Sequence, residues 1–527
     1  MWRVLLACCA LVLGGCTTIP GRDAPRPFPA PPLHPPNPEL YQPFVAAERT
    51  HHAESGFRMF SKGIDGLLLR LELIRAAHST LDLQYYIFHG DESGRLITEA
   101  LAEAAARGVR VRILVDDGET EKGDEQLFAL AGHDNVEIRI FNPWHYRGHN
   151  SFLRGSEYLL GHSRLDYRMH NKLFVVDDAI ALIGGRNIGD QYFQIDPASQ
   201  FADDDVFVTG PAVPELAYTF ERFWNSYLAI PAKALLPHDS TDRVAAERLA
   251  ERATTPLKTV NAAEDFQQQL DANQPLAAVL AGAARLSWAQ GEVASDSPDK
   301  GKRIAEGERV SGLLYAPVAK AIRDTHSEFI IVTPYLVPTE GELKLLQERH
   351  AANTRVRILT TSLEATNDVL AQAGYMHYRI PVLESGAELH ELRASPQNPR
   401  GTGQSAQLSR LGNYSLHAKL LVFDRSGVYV GSMNYDQRSR RLNTENGMII
   451  HSAELAEETA RRFAALTQPQ NAFTVTLQQD HAGDPPRLEW TGVKDGQPLV
   501  LKSEPSRSDW QKFEVNFLKL FPIDSEL

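Results

Sequence analysis

The sequence predicts a duplicated α/β protein, two homologous halves closing on one shared site. Three observations carry this. The same residues recur at the same offsets in two places. One copy is His170-Asn171-Lys172, Asp177 and Gly184-Gly185-Arg186-Asn187; the other is His417-Ala418-Lys419, Asp424 and Gly431-Ser432-Met433-Asn434. Each copy is preceded by a strand–helix–strand pattern, which argues a βαβ unit and a parallel sheet core. Finally, 527 residues at 43% hydrophobic content suit two or three buried cores, and a mean hydropathy of −0.30 excludes a multi-span membrane protein.

The chain begins Met1-Trp2-Arg3, runs apolar, and reaches Leu13-Gly14-Gly15-Cys16. This is the pattern of a signal peptide (1–15), too short to remain as a spanning helix. Ending in Leu-Gly-Gly-Cys, it resembles a bacterial lipoprotein signal, which implies cleavage before Cys16 and lipid on that residue. The cysteines are Cys8, Cys9 and Cys16, so the mature chain would hold no disulfide and no free thiol, which suits an oxidising periplasm. Thr17 in place of Asp implies, by the same resemblance, the periplasmic leaflet of the outer membrane. Residues 16–50 read as a tether. Ten prolines fall between 20 and 43, a composition that resists helix and sheet and would reach up to ~75 Å as polyproline.

The first half (51–235) is expected to hold a helix over 67–77, a strand over 81–88, a helix over 93–107 and strands over 109–115 and 136–141. A polar and aromatic stretch, 142–168, leads to the first motif. Val206-Phe207-Val208 follows, then an amphipathic helix carrying Leu216, Phe220, Phe223 and Trp224. Residues 236–305 connect to the second half (306–470). That half repeats the plan with a helix over 318–325, a strand over 329–334, a helix over 341–350, a strand over 356–360, the motif, a strand over 448–450 and a helix over 453–466. The extension 471–527 falls outside the repeat, with short strands and a last helix opened by Ser508 and Gln511. Trp510, Phe513, Phe517 and Leu520 share one face of that helix, for which packing on the adjacent strands is favoured over contact with lipid.

Each motif reads as a β-hairpin. His and Lys, two apart on a strand, project from one face, and the glycine-rich turn returns Asn187 or Asn434 beside them. The product is one imidazole, one ammonium and one amide, twice. Two imidazoles divide nucleophile and general-acid work, and two ammoniums with two amides hold the oxygens of a phosphodiester. The catalytic set is His170, Lys172, Asp177, His417, Lys419 and Asp424. The two aspartates, at the hairpin turns, are expected to orient neighbours or cap backbone donors. No metal or other cofactor is needed, because the protein supplies the cations.

Both copies, with Pro334-Tyr335-Leu336-Val337-Pro338 and Leu442-Asn443-Thr444-Glu445 around them, resemble the paired signature of the phospholipase D superfamily, in its cardiolipin synthase and phospholipase D-like bacterial branch. The resemblance spans most of residues 55–470. It implies the duplicated phospholipase D-like fold, a phosphatidyl-histidine intermediate on His170, and His417 as the acid that protonates the leaving alcohol. It also implies an acidic residue after each motif that orients that half's own histidine: Glu445 in the second half, and Asp203 or Asp205 in the run Asp203-Asp204-Asp205.

The expected partner is a phospholipid at a membrane surface, with both half-sites in one monomeric chain. A periplasmic nuclease would use the same chemistry but needs a basic groove, and a net charge of −13 speaks against nucleic acid. A non-catalytic envelope scaffold is the third reading, and two intact motifs speak against it. His145, His149 and His162 lack metal-ligand spacing and are read as a loop at the substrate entrance. Arg438, Arg440 and Arg441 are either head-group ligands or solvated charge.

Overall fold

The structure is a computed structural model. It describes residues 19–23, 38–51, 53–118, 127, 129–146, 151–196, 199–235, 273–282, 286–307, 314–395, 414–479, 481 and 485–521. Cys16 and the leader lie outside the described residues.

In the first half the strands are β1 (Ser55–Phe60), β2 (Thr80–Tyr85), β3 (Arg110–Asp116), β4 (Val136–Phe141), β5 (Leu173–Val176), β6 (Ile180–Gly184), β7 (Gln200–Ala202), β8 (Asp205–Thr209) and β9 (Ala229–Pro231). Two short strands follow, β10 (Ser287–Ala289) and β11 (Gly291–Ser295). In the second half come β12 (Glu328–Val332), β13 (Leu336–Val337), β14 (Arg355–Thr361), β15 (Glu388–Leu392), β16 (Tyr414–Leu416), β17 (Leu420–Phe423), β18 (Gly427–Gly431), β19 (Tyr435–Asp436) and β20 (Asn446–Ile450). β21 (Ala472–Gln478), β22 (Arg487–Lys494) and β23 (Gln497–Leu501) close the series. The first sheet is ordered β10-β1-β8-β6-β5-β2-β3-β4-β9, the second β11-β20-β18-β17-β12-β14-β15-β21-β22-β23. Read from β8 and from β20, the two orders match strand for strand through β9 and β21.

The main helices are α1 (Pro38–Thr50), α2 (Gly63–Ala76), α3 (Glu92–Ala106), α4 (Ser151–Leu165), α5 (Ala212–Trp224), α6 (Tyr315–Arg323), α7 (Glu340–Ala351), α8 (Val369–Glu384), α9 (Gln437–Arg441), α10 (Ala453–Leu466) and α11 (Asp509–Leu518). Their starts follow sequence logic. Thr339 and Glu342 form a reciprocal capping box on α7, and Asp91 and Ser452 cap α3 and α10. The amphipathic α5 and α10 bury Phe220, Phe223, Trp224, Leu455 and Phe463 in one core with Val206, Val208, Val428, Val430, Met448 and Ile450. Side chains from both sheets share that core, so the halves are joined by an apolar layer rather than by loops. Separate cores lie beneath α2 and α3 and beneath α6 and α7.

Several expectations change. The two large sheets are mixed: within them β2–β3–β4 and β12–β14–β15 run parallel, while the motif hairpins join antiparallel. Residues 38–50 are helical despite Pro43, because Leu40 and Phe44, one turn apart, are buried in the first core and Phe44 meets the Phe207 ring at 5.9 Å. The stretch before the first motif contains α4, kinked at Gly161. The second half holds α8 and β15, which alternation alone does not announce in Val369–Leu392. β21 pairs antiparallel with β15 as β9 does with β4, so the extension opens inside the repeat. In α11 only Val515 is buried, and the aromatic face is turned outward rather than packed on the strands.

Asp177 and Asp424 sit at the hairpin ends away from the histidines. Asp177–Asp178 and Asp424–Arg425 take positive φ, near 50° and 53° in each pair, as a two-residue type I′ turn requires. The Asp177 carboxylate accepts from the backbone N–H groups of His78 (2.9 Å), Ser79 (2.8 Å) and Thr80 (2.7 Å). Asp424 does the same for His326, Ser327 and Glu328. This is the capping of backbone donors expected of the two aspartates; it anchors the start of β2 and β12, and neither carboxylate faces the histidines. Asp177→Ala is expected to lower stability by about 1–3 kcal/mol by taking the acceptor from three backbone donors, of which Thr80 is buried. The denaturation midpoint should fall while the folded protein keeps its turnover number.

Candidate active site at the junction of the halves

The residues leading into each motif are fixed by the opposite half. The His170 N–H donates to Thr444 O (2.9 Å) and the Thr444 N–H to Arg168 O (3.0 Å). β7 pairs in parallel with β16, and the His417 N–H donates to Ala202 O (2.8 Å). Asn446 grips Lys172 at both backbone atoms, at 3.1 and 3.2 Å. These exchanges place the segment after each motif beside the histidine of the other.

The carboxylates follow. His170 Nδ1 lies 2.9 Å from Glu445 Oε2, and His417 Nδ1 lies 2.5 Å from Asp203 Oδ2. The pairing is crossed, which corrects the expectation that each acid orients its own half's histidine. The reason is local: Asp203 directly follows β7, which pairs across the junction with β16, and Glu445 directly follows Thr444, which bridges to Met169 of the first half. The aspartate run also resolves. Asp203 takes His417; Asp204 binds Ser61 Oγ (2.6 Å) and Arg462. Asp205 is enclosed by Arg70 (2.8 Å) and Arg186 (3.0 Å). Those two guanidiniums outweigh burial and hold the Asp205 carboxyl below its ordinary range.

Lys172 Nζ donates to His170 O (2.6 Å) and lies 5.4 Å from the Tyr86 ring centroid. Lys419 Nζ donates to His417 O and lies 3.0 Å from His417 Nδ1. Aromatic rings hold both imidazoles: Tyr86 against His170 at 5.2 Å, Tyr192 and Phe201 against His417 at 5.0 and 5.2 Å. Both histidines and both motif asparagines line one cleft of about 410 Å³, with Tyr86, His89, Tyr335, Asn367, Asp368 and Arg438 among its other walls. Asn187 Oδ1 accepts from Ile87 N–H (3.0 Å) while its Nδ2, like Asn434 Oδ1, is buried without a partner among the described residues. Buried polar atoms of that kind at a cleft wall are what a polar ligand would satisfy.

Burial dominates the electrostatics. It raises the Asp203 carboxyl to about 6 and the Glu445 carboxyl to about 7, and lowers the Lys419 ammonium to about 8. Lys172 is pushed well below its usual range by burial and by Lys419. Both imidazoles are also pushed well down, by burial first and then by the neighbouring ammoniums. With the protein's own groups alone, then, both histidines favour the neutral form, not the split into one neutral and one protonated ring that the motif chemistry predicts.

Other residues emerge that the motif did not announce. Ser432 Oγ and Ser439 Oγ donate to Glu445 at 2.5 and 2.8 Å. Asp296 receives the Glu445 N–H (3.0 Å) and pairs with buried Lys300 (2.7 Å). Only Ser432 carried a signal, as the serine in place of Gly185. Arg438 lines the cleft and spans the junction to Asp166 (3.0 Å), whereas Arg440 stacks over Tyr315, 3.0 Å from its centroid. His145 pairs with Glu157 at 3.2 Å. The side chains of His149 and His162 lie outside the described residues, and among the described residues no group of three or more histidine, cysteine or acidic side chains is arranged for a metal.

The chain belongs to the cardiolipin synthase, PLD-like domain family, whose model matches residues 71–224 and 318–467, one match in each half. It is 35% identical over 483 residues to cardiolipin synthase C of Escherichia coli K12, covering 90% of this chain and 96% of that protein. The major cardiolipin synthase of Bacillus subtilis 168 is 23% identical, covering 77% of this chain and 67% of that one. The fold resembles a solved phosphatidylserine synthase from Haemophilus influenzae Rd KW20, with a TM-score of 0.55 at 14% identity over 92% of this chain and all of the other.

The crossed pairing is open to direct test. In Asp203→Asn the ¹⁵N signals and tautomer of His417 should change while those of His170 stay; Glu445→Gln should do the reverse. Perturbation of each variant's own-half histidine would contradict the geometry.

Proposed function

We propose that the protein is a phosphatidyl-transferring enzyme that cleaves a glycerophospholipid through a phosphohistidine on His170 and passes the phosphatidyl group to an alcohol, in the manner of a cardiolipin synthase. The observation that carries this is the pair of imidazoles on one cleft, each held at Nδ1 by a buried carboxylate. That hydrogen bond fixes the tautomer and leaves Nε2 as the nitrogen available to substrate.

In the first step the lone pair of His170 Nε2 forms a bond to phosphorus. The bond from phosphorus to the leaving alcohol's oxygen breaks, and protonated His417 gives that oxygen its proton. In the second step neutral His417 takes the proton of the acceptor alcohol, whose oxygen attacks phosphorus as the phosphorus–nitrogen bond breaks. Lys172, Lys419 and the amides of Asn187 and Asn434 balance the charge on the non-bridging oxygens. With phosphatidylglycerol as donor and acceptor the products are cardiolipin and glycerol; with water as acceptor the product is phosphatidic acid. Similarity to two cardiolipin synthases favours the lipid alcohol.

In this reading the chain acts as a monomer held by lipid on Cys16 at the periplasmic leaflet of the outer membrane. No described helix is long and apolar enough to cross a bilayer. An anchor of this kind confines enzyme and substrate to one surface, which raises their effective concentration.

His170→Ala and His417→Ala should each abolish turnover without unfolding the protein. Lys172→Ala and Lys419→Ala should cost about 10²–10³ in rate. The kcat/KM profile should be bell-shaped. Activity falls on the acid side as Glu445 and Asp203 take up protons, at about 7 and about 6, and falls on the alkaline side as Lys419 loses its charge at about 8. A flat profile between about pH 5 and 9 would contradict this scheme. The deciding assay is lipid mass spectrometry on vesicles of phosphatidylglycerol and phosphatidylethanolamine, with His170→Ala as control. Cardiolipin from the wild type alone supports the synthase; phosphatidic acid alone makes it a phospholipase D; no lipid product, with cleavage of single-stranded DNA, replaces the proposal with a nuclease.

A further inference from the structure

We infer that α11 is a membrane-docking element that seats the mouth of the cleft on a phospholipid surface. The inference rests on the phospholipid reading of the site, and begins from an exposed apolar face that the fold leaves uncovered among the described residues.

α11 is fixed to the protein by a narrow seam. Val515 is fully buried against Leu363 and Ala373, with Val369, Met376 and Leu518 at its edge. Gln511 Nε2 donates to Leu363 O (2.8 Å), Arg507 reaches Glu364 O, and the Lys519 carbonyl lies 3.1 Å from His377 Nε2. The opposite face is outward. Trp510 is 70% exposed, Phe513 59%, Phe517 50% and Leu520 79%. Phe521 continues the row, and the rings meet in series at 5.5, 6.3 and 5.3 Å. A continuous apolar face of this size is unusual on a protein that faces water alone.

Its position gives the occupant. α11 runs beside α8, whose first turn borders the cleft: Asn367, Asp368 and Ala371 line the cavity, and Leu370, between the last two, is 38% exposed. α11 thus packs on the helix whose first turn forms part of the cavity wall. A phospholipid entering the mouth keeps its acyl chains in the bilayer while its head group enters a cleft lined by Tyr86, His89, Asn187, Asn434 and Arg438. A helix of ten residues is too short to cross, but Trp, Phe and Leu on one face suit the head-group boundary. Within α11 the charged residues are Asp509, Lys512 and Glu514, a net charge of −1, with Lys519 at its C-cap. With a chain charge of −13, attraction to anionic lipid cannot supply the contact, so docking is apolar and insensitive to salt.

The test uses the full chain and vesicles of phosphatidylethanolamine and phosphatidylglycerol. Hydrogen exchange of the 508–521 segment should slow when vesicles are added, equally at low and high salt. The variant Phe513→Ser/Phe517→Ser/Leu520→Ser, whose changes lie on the exposed face, should lose at least about a hundredfold in activity on vesicles. It should retain wild-type activity on a monomeric short-chain phosphatidylglycerol, which needs no docking. Unchanged exchange in vesicle-bound protein, or wild-type activity of the variant on vesicles, overturns the proposal. So does protection that is present without vesicles, which would mean that the face is covered by other residues of the chain or by a second copy. Protection on vesicles, lost in the variant, from a chain that turns over neither lipid would leave the docking standing and remove the phospholipid chemistry.

Discussion

The structure depends on two buried hydrogen bonds that run between the halves, Glu445 to His170 and Asp203 to His417. A buried carboxylate without a donor, or a buried imidazole free to turn, would be costly in either half alone. Everything nearby serves the exchange. β7 pairs with β16, Thr444 bonds the backbone beside His170, and Asn446 holds the strand of Lys172. Behind these, the core shared by α5, α10 and the two sheets excludes water from the junction.

The halves are equivalent in plan and unequal in detail. Asp203 is the shorter acid, and a Cβ at Gly185 would run into its carboxylate, so glycine is required there. Glu445 is longer by one methylene and leaves room for a side chain at the matching position, which Ser432 fills with a hydroxyl that donates to it. Ser439 adds a second hydroxyl. Thus Glu445 receives more donors than Asp203, and the two imidazoles, alike in sequence, sit in different hydrogen-bond environments. Such a difference is what two histidines with different duties require.

Much of this was legible in the sequence because repetition is a strong signal. The hairpins, their partner helices and His170, Lys172, His417 and Lys419 follow from matched spacing, whereas Glu445 and the choice between Asp203 and Asp205 rest on the family resemblance. The crossing did not follow, because spacing along a chain carries no information about which half a strand pairs with. Asp177 and Asp424 share the motif's periodicity with the histidines, yet lie at the far ends of their hairpins. α1 was hidden by Pro38 and Pro43, since burial of Leu40 and Phe44 outweighs proline's local cost. In α11 the sequence gives an apolar face but cannot say whether protein covers it.

One short connection has a larger consequence. β10 belongs to the first sheet and β11 to the second, and Gln290 alone separates them. The two half-sites are therefore spliced together at the sheets' edges as well as packed at their faces. Their encounter is intramolecular, at an effective concentration of at least millimolar order for so short a link. A paired site assembled from separate subunits would come apart as copies became sparse on a surface. This one keeps both histidines together however dilute the protein becomes.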